Sequence, residues 1–164
     1  MTDQPLRLSI CIPTYKRAGY LNDVLTDLFE QPVELGPFEV LVGDNASPDD
    51  TPLVLHDWAR RRPEVRYVRQ TENVGVYGNL VTVYRLAKGR YSVYLADDDR
   101  LNLAEVAAYM DCLDANPNLV AAYSAWEYWD EQKGAAFGAS HQLEEPLVFN
   151  RSNGAELFNA LTTV

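Results

Sequence analysis

From residue 6 to residue 125, short apolar runs alternate with amphipathic stretches of about a dozen residues, and this alternation limits the fold more than any other property of the chain. Leu6–Ile12, Phe38–Gly43, Val65–Arg69, Tyr91–Ala96 and Leu119–Ala125 read as strands, the first of them halted by Pro13. Between them, Ala18–Glu30 carries Tyr20, Leu21, Val24, Leu25 and Leu28 at helical spacing, so one face packs inward. Asp50 or Thr51 can cap a second helix, with Pro52 suited to its first position, running to about Arg62. A third spans about Val76–Lys88, ended by Gly89, and a fourth Leu103–Ala115, closed by Asn116-Pro117. Strands joined by such helices need crossover connections, which are right-handed and leave the strands parallel. The expected architecture is an α/β, Rossmann-like three-layer sandwich with a mostly parallel sheet.

Beyond residue 126 the pattern fades. Trp126, Tyr128 and Trp129 precede a turn at Gln132-Lys133-Gly134, with irregular sequence to Asn150. Asn153-Gly-Ala-Glu156 resembles an N-cap box opening a helix through Leu157, Phe158 and Leu161, and Val164 follows soon after. A chain that stops on a freshly started apolar helix reads as truncated at its C-terminus.

Charge narrows the function classes. Residues 1–90 hold 11 basic and 12 acidic side chains, whereas residues 91–164 hold 3 and 12. An acidic C-terminal half argues against nucleic acid or an anionic bilayer as the main partner. No apolar run approaches the roughly 20 residues of a membrane span, and Met1–Pro5 carries no secretion signal, so the reading is cytoplasmic or peripheral to a membrane. Cys11 and Cys112 lie in apolar stretches without metal-ligand spacing and read as reduced structural thiols. His56 and His141 read as surface residues, and Arg60-Arg61-Arg62 as cations at a helix C-terminus.

In open α/β sheets ligands bind beyond the carboxyl ends of the strands, where the strand order reverses. Three strand ends carry polar groups: Pro13-Thr14-Tyr15-Lys16-Arg17, Asp44-Asn45 and Asp97-Asp98-Asp99. If the first and fourth strands are neighbours, all three meet in one crevice. Three adjacent carboxylates repel one another and favour a counter-cation, and an oxygen-only set suits Mg²⁺ or Mn²⁺ over zinc. The alternative is a solvated acidic turn at a helix N-terminus. Asp44 can accept the imide N–H of uracil or thymine, or the N1–H of guanine; alternatively Asp44-Asn45 only forms an Asx turn. Arg17 can reach a diphosphate.

These segments resemble family-two glycosyltransferases of the GT-A fold. Ile10-Cys-Ile-Pro-Thr-Tyr-Lys-Arg-Ala-Gly-Tyr-Leu21 is similar to the family opening I-I-P-T-Y-N-R-x-x-Y-L. Val42-Gly-Asp-Asn-Ala-Ser-Pro-Asp-Asp-Thr51 resembles V-x-D-[DN]-x-S-x-D-x-T, and Glu72-Asn-Val-Gly-Val-Tyr-Gly-Asn79 resembles N-x-G-x-x-x-N. Ala87-Lys-Gly-Arg-Tyr-Ser-Val-Tyr-Leu-Ala-Asp-Asp-Asp99 is similar to the run ending in the D-x-D site, with Ala96 where the family often has Asp. The four motifs occur in order and cover residues 6–101 almost continuously.

The resemblance implies a nucleotide-sugar-binding domain over residues 1–126 and the start of an acceptor region over 127–164. It implies transfer of a sugar, with inversion and with Mn²⁺ or Mg²⁺, from a UDP, dTDP or GDP sugar to a glycan or other hydroxyl acceptor. Pro13, Thr14, Tyr15, Asp44 and Asn45 would meet the nucleoside, and Arg17 the diphosphate. Asn73, Gly75 and Asn79 would wall the pocket, Asp97 would approach the ribose, and Asp98 with Asp99 would hold the metal. The catalytic base is expected beyond Val164, so the chain alone is expected to bind donor and to be poor in transfer. Trp126, Tyr128 and Trp129 offer either a sugar-stacking platform or an apolar surface for a homodimer. The alternatives are a non-catalytic nucleotide-sugar-binding module and a sugar-nucleotide nucleotidyltransferase. The second is disfavoured because the first strand leads into Pro13-Thr14-Tyr15 and not a Gly-rich phosphate loop.

Overall fold

A computed structural model describes residues 5–122, 126–130 and 132–139. Its elements run β1 (Leu8–Thr14), α1 (Ala18–Glu30), β2 (Phe38–Asp44), α2 (Thr51–Arg61), β3 (Val65–Arg69), α3 (Gly75–Leu86), β4 (Tyr91–Tyr94), α4 (Leu103–Ala115), β5 (Glu127–Asp130) and β6 (Ala135–Ala139). The first four strands form a parallel sheet in the order β3-β2-β1-β4. Right-handed crossovers then put α1 and α2 on one face and α3, which packs on β1 and β2, on the other. The chain divides into two compact units, Met1–Ala107 and Ala108–Val164, with the boundary inside α4. Among the described residues no helix is long and apolar enough to cross a membrane.

Burial follows position in the sheet. Central β1 and β2 are buried on both faces, while edge strands β3 and β4 alternate. Ile10, Ile12, Val40 and Val42 carry the sheet core, and α1 adds Leu21, Val24, Leu25 and Leu28. Trp58 of α2 stacks on Phe29 and donates its indole N–H to Asn22 Oδ1 at 3.1 Å, tying α2 to α1. At the N-terminal end of the sheet, buried Glu39 of β2 accepts from Ser9 Oγ (2.7 Å) and from Lys88 N (2.7 Å), and also pairs with Arg66 of β3.

Several expectations change. Pro13 does not halt β1, which runs through it to Thr14. The carbonyls of Arg7 and Cys11 face β4, so odd-numbered Pro13 directs its missing donor to that side, past the last β4 partner, Tyr94. Tyr20 is exposed rather than packed inward, with the Arg17 guanidinium over its ring. Neither Asp50 nor Thr51 caps α2 through its side chain; Asp49 Oδ1 instead accepts from Thr51 N and Thr51 Oγ1. Gly89 does not end α3, which stops at Leu86 as Ala87 turns extended. Its glycine requirement is close approach, because a Cβ there would lie 2.4 Å from Ser9 N and 2.5 Å from Leu8 C.

The expected fifth strand is absent over residues 119–122, and residues 123–125 lie outside the described set. The Gln132-Lys133-Gly134 turn joins β5 and β6 in an antiparallel ribbon where irregular sequence was expected. Cys11 is buried as expected, but Cys112 is exposed on α4. His56 is exposed, while His141 and the expected helix from Asn153 lie outside the described residues.

Candidate functional site

Thr14, Asp44 and Arg69 end β1, β2 and β3 and stand in register as one row across three strands. β4 pairs with β1 only as far as Tyr94, and the chain then leads into Asp97-Asp98-Asp99. The strand order reverses between β1 and β4, so these strand ends form the switch point of the sheet. Across it Thr14 Oγ1 donates to Asp97 Oδ2 at 2.6 Å, both residues being buried. At the far end of the loop, Gln31 fixes the approach to α4 by donating to Leu101 O and accepting from Leu103 N, each at 2.9 Å.

The acidic triplet is electrostatically loaded. Burial raises the Asp97 carboxyl above its ordinary value, outweighing the Thr14 bond and the nearby Arg17 charge. Asp99 is raised by burial and then by Asp98. The Tyr94 phenol is raised by burial and then by Asp99, Asp97 and Asp98. Arg17 pairs with Asp98 Oδ2, and the two side chains are each 41% exposed.

Asp44 is fully buried, and its two oxygens differ. Oδ1 accepts the N–H of Ser47, three residues on, at 3.0 Å, one residue beyond the reach of an Asx turn, so that half of the carboxylate serves the loop. Oδ2 lies 3.2 Å from Arg69 Nη1, but without the alignment of a hydrogen bond, and among the described residues it accepts no hydrogen bond. It is a buried, ion-paired acceptor that receives no aligned hydrogen bond among the described residues. Arg69 also donates to Ser47 O at 2.8 Å.

The loops after β1 and β2 are knitted together and strained. Lys16 (φ +57°) and Ala46 (φ +59°) adopt left-handed backbone, which costs a non-glycine residue about 1–2 kcal/mol. Lys16 N donates to Ser47 Oγ at 3.0 Å, and Ala18 N reaches Asp49 Oδ2 at 3.5 Å. Burial opposes ionisation of Asp49, yet its hydrogen bonds from Thr51 and Ala18 together hold the carboxyl below the ordinary value.

Asn45 and Asn73 join β2 to the start of α3. Asn45 Nδ2 donates to Asn73 Oδ1, Asn45 Oδ1 accepts from Val74 N, and Asn73 Oδ1 accepts from Gly75 N, all at 2.9 Å. Gly75 has φ +77°, which accounts for glycine there. Tyr15 is partly exposed, and hydrogen bonding from Asn73, then Lys16, lowers its phenol pKa. Asn79 is not part of an open wall. It is buried and donates to Gly43 O at 2.6 Å, with Gln70 Nε2 at 3.4 Å from its Oδ1, so it supports β2 from beneath.

The structure thus brings Thr14, Tyr15, Arg17, Asp44, Asn45, Asn73 and Asp97–Asp99 to one end of the sheet, while Pro13 and Asn79 serve its frame. Ser47 and Asp49 were not singled out from the sequence, and Arg69 was not tied to Asp44. For Arg69 a signal existed, since parallel strands that end at the same edge bring their last residues together. Among the described residues no three His, Cys, Asp or Glu side chains form a ready metal cage. The donors at Asp98 and Asp99 are carboxylate oxygens in a crowded negative field, which suits a hard divalent cation completing its shell from other ligands.

Residues 9–158 match the model of a family described as "Glycosyl transferase family 2". The chain is 32% identical over 108 residues to the abequosyltransferase RfbV of Salmonella typhimurium, covering 63% of this chain and 32% of that protein. It is 27% identical over 110 residues to the poly(ribitol-phosphate) β-N-acetylglucosaminyltransferase TarS of Staphylococcus aureus, covering 65% and 19%. Among solved structures, the mannosyltransferase PcManGT of Pyrobaculum calidifontis with GDP-Man and Mn²⁺ superposes with a TM-score of 0.61 at 30% identity, covering 72% of this chain and 34% of that one. S. aureus TarS 1–349 with UDP-GlcNAc gives 0.60 at 25% identity, covering 66% and 32%. The chain spans about a third of the length of the first curated relatives it matches, 31% of an uncharacterised Mycobacterium tuberculosis protein among them.

Proposed function

Because the chain belongs to glycosyl transferase family 2, we propose that its β1/β4 crevice binds a nucleotide-diphosphate sugar for inverting transfer of the sugar to an acceptor hydroxyl, with a divalent cation. The observation that carries this reading is the Thr14–Asp97 hydrogen bond, which joins the first strand end to the acidic triplet at the switch point. Support for the donor class comes from the ligands of the two solved relatives, GDP-Man with Mn²⁺ in one and UDP-GlcNAc in the other.

Each group then has a task that follows from its surroundings. Asp44 Oδ2, buried and short of a directional donor, accepts the N–H on the pairing edge of the base, and Arg69 beside it supplies the counter-charge and holds it in place. Tyr15 presents an exposed ring for the base to lie on. Asp97, fixed by Thr14, meets the ribose. Asp98, with Asp99 beside it, would hold Mn²⁺ or Mg²⁺, and such an ion offsets the negative charge that gathers on the leaving diphosphate. As the acceptor oxygen bonds to the anomeric carbon, the bond to the diphosphate breaks and the acceptor proton passes to a carboxylate base. Asp130 does not suit that role: the Lys133 side chain holds its carboxyl below the ordinary value, and the N–H groups of Gln132 and Lys133 occupy Oδ1.

Titration calorimetry of the chain with UDP, dTDP and GDP, with and without Mn²⁺, tests the assignment. At least one nucleotide is expected to bind more tightly with Mn²⁺, and Asp98→Asn is expected to abolish that dependence without lowering the melting temperature. The donor-site reading fails if no nucleotide binds under either condition.

A further inference from the structure

Of the 12 residues of α3 only Arg85 is charged, yet only Asn79 and Val83 are buried. A helix that is apolar nearly all round is normally covered on more than one side. The sheet register identifies the side left bare. Parallel partners share a face, so Ser92 and Tyr94 of β4 look the same way as Ser9 and Cys11 of β1. Cys11 packs with Val83 of α3, which makes this the α3 face of the sheet. Yet α3 lies over β1 and β2, and both Ser92 and Tyr94 stay exposed on β4. A parallel sheet ordinarily carries helices across the whole of both faces, so a strip about one helix wide is uncovered beside α3. The flank of α3 toward this strip carries Tyr77, Leu80 and Tyr84 at helical spacing. Burial, then the Cys11 and Tyr94 groups, raises the Tyr84 phenol, which marks that flank as the one beside β4. Tyr77 is 78% exposed, Tyr84 40% and Tyr94 47%, with Val76 at 76% in the first turn.

We propose that α3 of a second copy of this chain fills the strip, the two α3 helices lying antiparallel across a twofold axis. A twofold contact needs a surface complementary to itself, residue i meeting j as j meets i. The flank has that property. Tyr77, Leu80, Val81 and Tyr84 are arranged symmetrically about the midpoint between Leu80 and Val81. Reversal therefore puts Tyr77 on Tyr84 of the second copy and Leu80 on Val81, aromatic against aromatic and aliphatic against aliphatic. The same reversal sets exposed Glu72, just before α3, opposite exposed Lys88, just after it, once at each end. With about 200 Å² for a fully exposed aromatic side chain, the tyrosines with Val76, Leu80 and Val81 offer roughly 500 Å² a copy, so the pair buries about 1,000 Å², the lower end for specific association. A monomer–dimer equilibrium in the micromolar range is the consequence. Because each α3 begins at its own crevice, the two crevices lie at opposite ends of the pair.

Analytical ultracentrifugation of the full chain from low micromolar to submillimolar concentration measures this association, and a reversible dimer is expected. Tyr77→Glu is expected to weaken the dimer by about tenfold or more, and Tyr77→Phe to leave it near the wild type. Tyr77 is exposed, so Tyr77→Glu is expected to keep the melting temperature of the dilute protein. The register has its own test, made in a Cys112→Ser background because Cys112 is exposed. Tyr77→Cys mixed with Tyr84→Cys is expected to form a disulfide-linked pair on mild oxidation faster than either variant alone. A monomer at every concentration overturns the inference; a Tyr77→Glu variant that then melts earlier assigns the strip to cover from within the same chain. A dimer that survives Tyr77→Glu and is lost in Phe137→Ser also overturns it, because exposed Phe137 belongs to the β5–β6 ribbon, where it stacks on Tyr128. Equal cross-linking of either cysteine variant alone and of the mixture rejects the antiparallel register.

Discussion

Replacing Asp44 by Asn changes one atom in a fully buried side chain, and the surroundings of that atom set the outcome. Asp44 Oδ1 accepts from Ser47 N at 3.0 Å, and Oδ2 faces Arg69 Nη1 at 3.2 Å. An amide has one acceptor and one donor end. With its NH₂ toward Arg69, donor meets donor and the acceptor for the base N–H is gone; flipped, the NH₂ meets the Ser47 N–H instead. Either orientation leaves a buried polar group unmatched, a cost of about 1–3 kcal/mol, which corresponds to about 5–150-fold weaker nucleotide binding if it falls on the complex. The assay is calorimetry of the nucleotide that binds most tightly, repeated with its base methylated on the N–H of the pairing edge (N3 for uracil, N1 for guanine). The wild type is expected to lose affinity on methylation. The variant, weak already, is expected to lose little more, because both changes delete the same bond. The reasoning is refuted if Asp44→Asn binds within twofold of the wild type, or if methylation costs both proteins equally.

Two further outcomes follow from packing and titration. A Cβ on Gly43 would lie 2.4 Å from Val83 Cγ2 and 2.8 Å from Asn79 Oδ1. Gly43→Ala is therefore expected to cost about 1–3 kcal/mol in denaturant unfolding, and an unchanged midpoint would show that α3 yields freely. Burial, then the Glu39 charge, pushes the Cys11 thiol up from 9.0 to about 12, so a thiol reagent at pH 8 is expected to modify only exposed Cys112 until the protein is unfolded. Because the folded value exceeds the unfolded one, the stability Cys11 contributes is intact below pH 9 and is lost as pH rises toward 12. Cys11→Ala is expected to flatten that alkaline loss, and rapid labelling of both thiols in the native protein contradicts the assignment.

The α/β frame was legible because apolar spacing and breakers agree. Leu21, Val24, Leu25 and Leu28 set α1, and Pro63 follows α2 closely. Pairing of β1 with β4 was legible only as a condition, and the register supplies it. What escaped depends on directions that composition does not encode. Pro13 fits inside a strand because its nitrogen faces the side where pairing has already ended. Tyr20 shares the helical phase of the core residues yet turns out toward Arg17. Leu119–Ala125 has the composition of a strand, but residues 119–122 take no strand conformation, whereas β6 forms from Ala135-Ala-Phe-Gly-Ala139, a weak strand former. At the site, the acidic triplet and Asp44 stood out because carboxylates at strand ends are conspicuous. Arg69 did not, since its meaning lies 25 positions away in a register partner.

The Glu39 network at the opposite end of the sheet has a kinetic consequence. One carboxylate on β2 joins Ser9 of β1, Arg66 of β3 and the Lys88 N–H that leads into β4, so it reaches toward every strand of the sheet. A folding intermediate that had assembled β1, β2 and β3 without the last crossover would enclose this charge while one of its donors was still missing, and such a half-satisfied anion is costly in a dry interior. The penalty discourages a resting point before β4 docks. Since the β1/β4 boundary is also the switch point, the molecule would acquire its crevice in the same all-or-none step that completes the sheet, and a population of sheet without crevice should not accumulate.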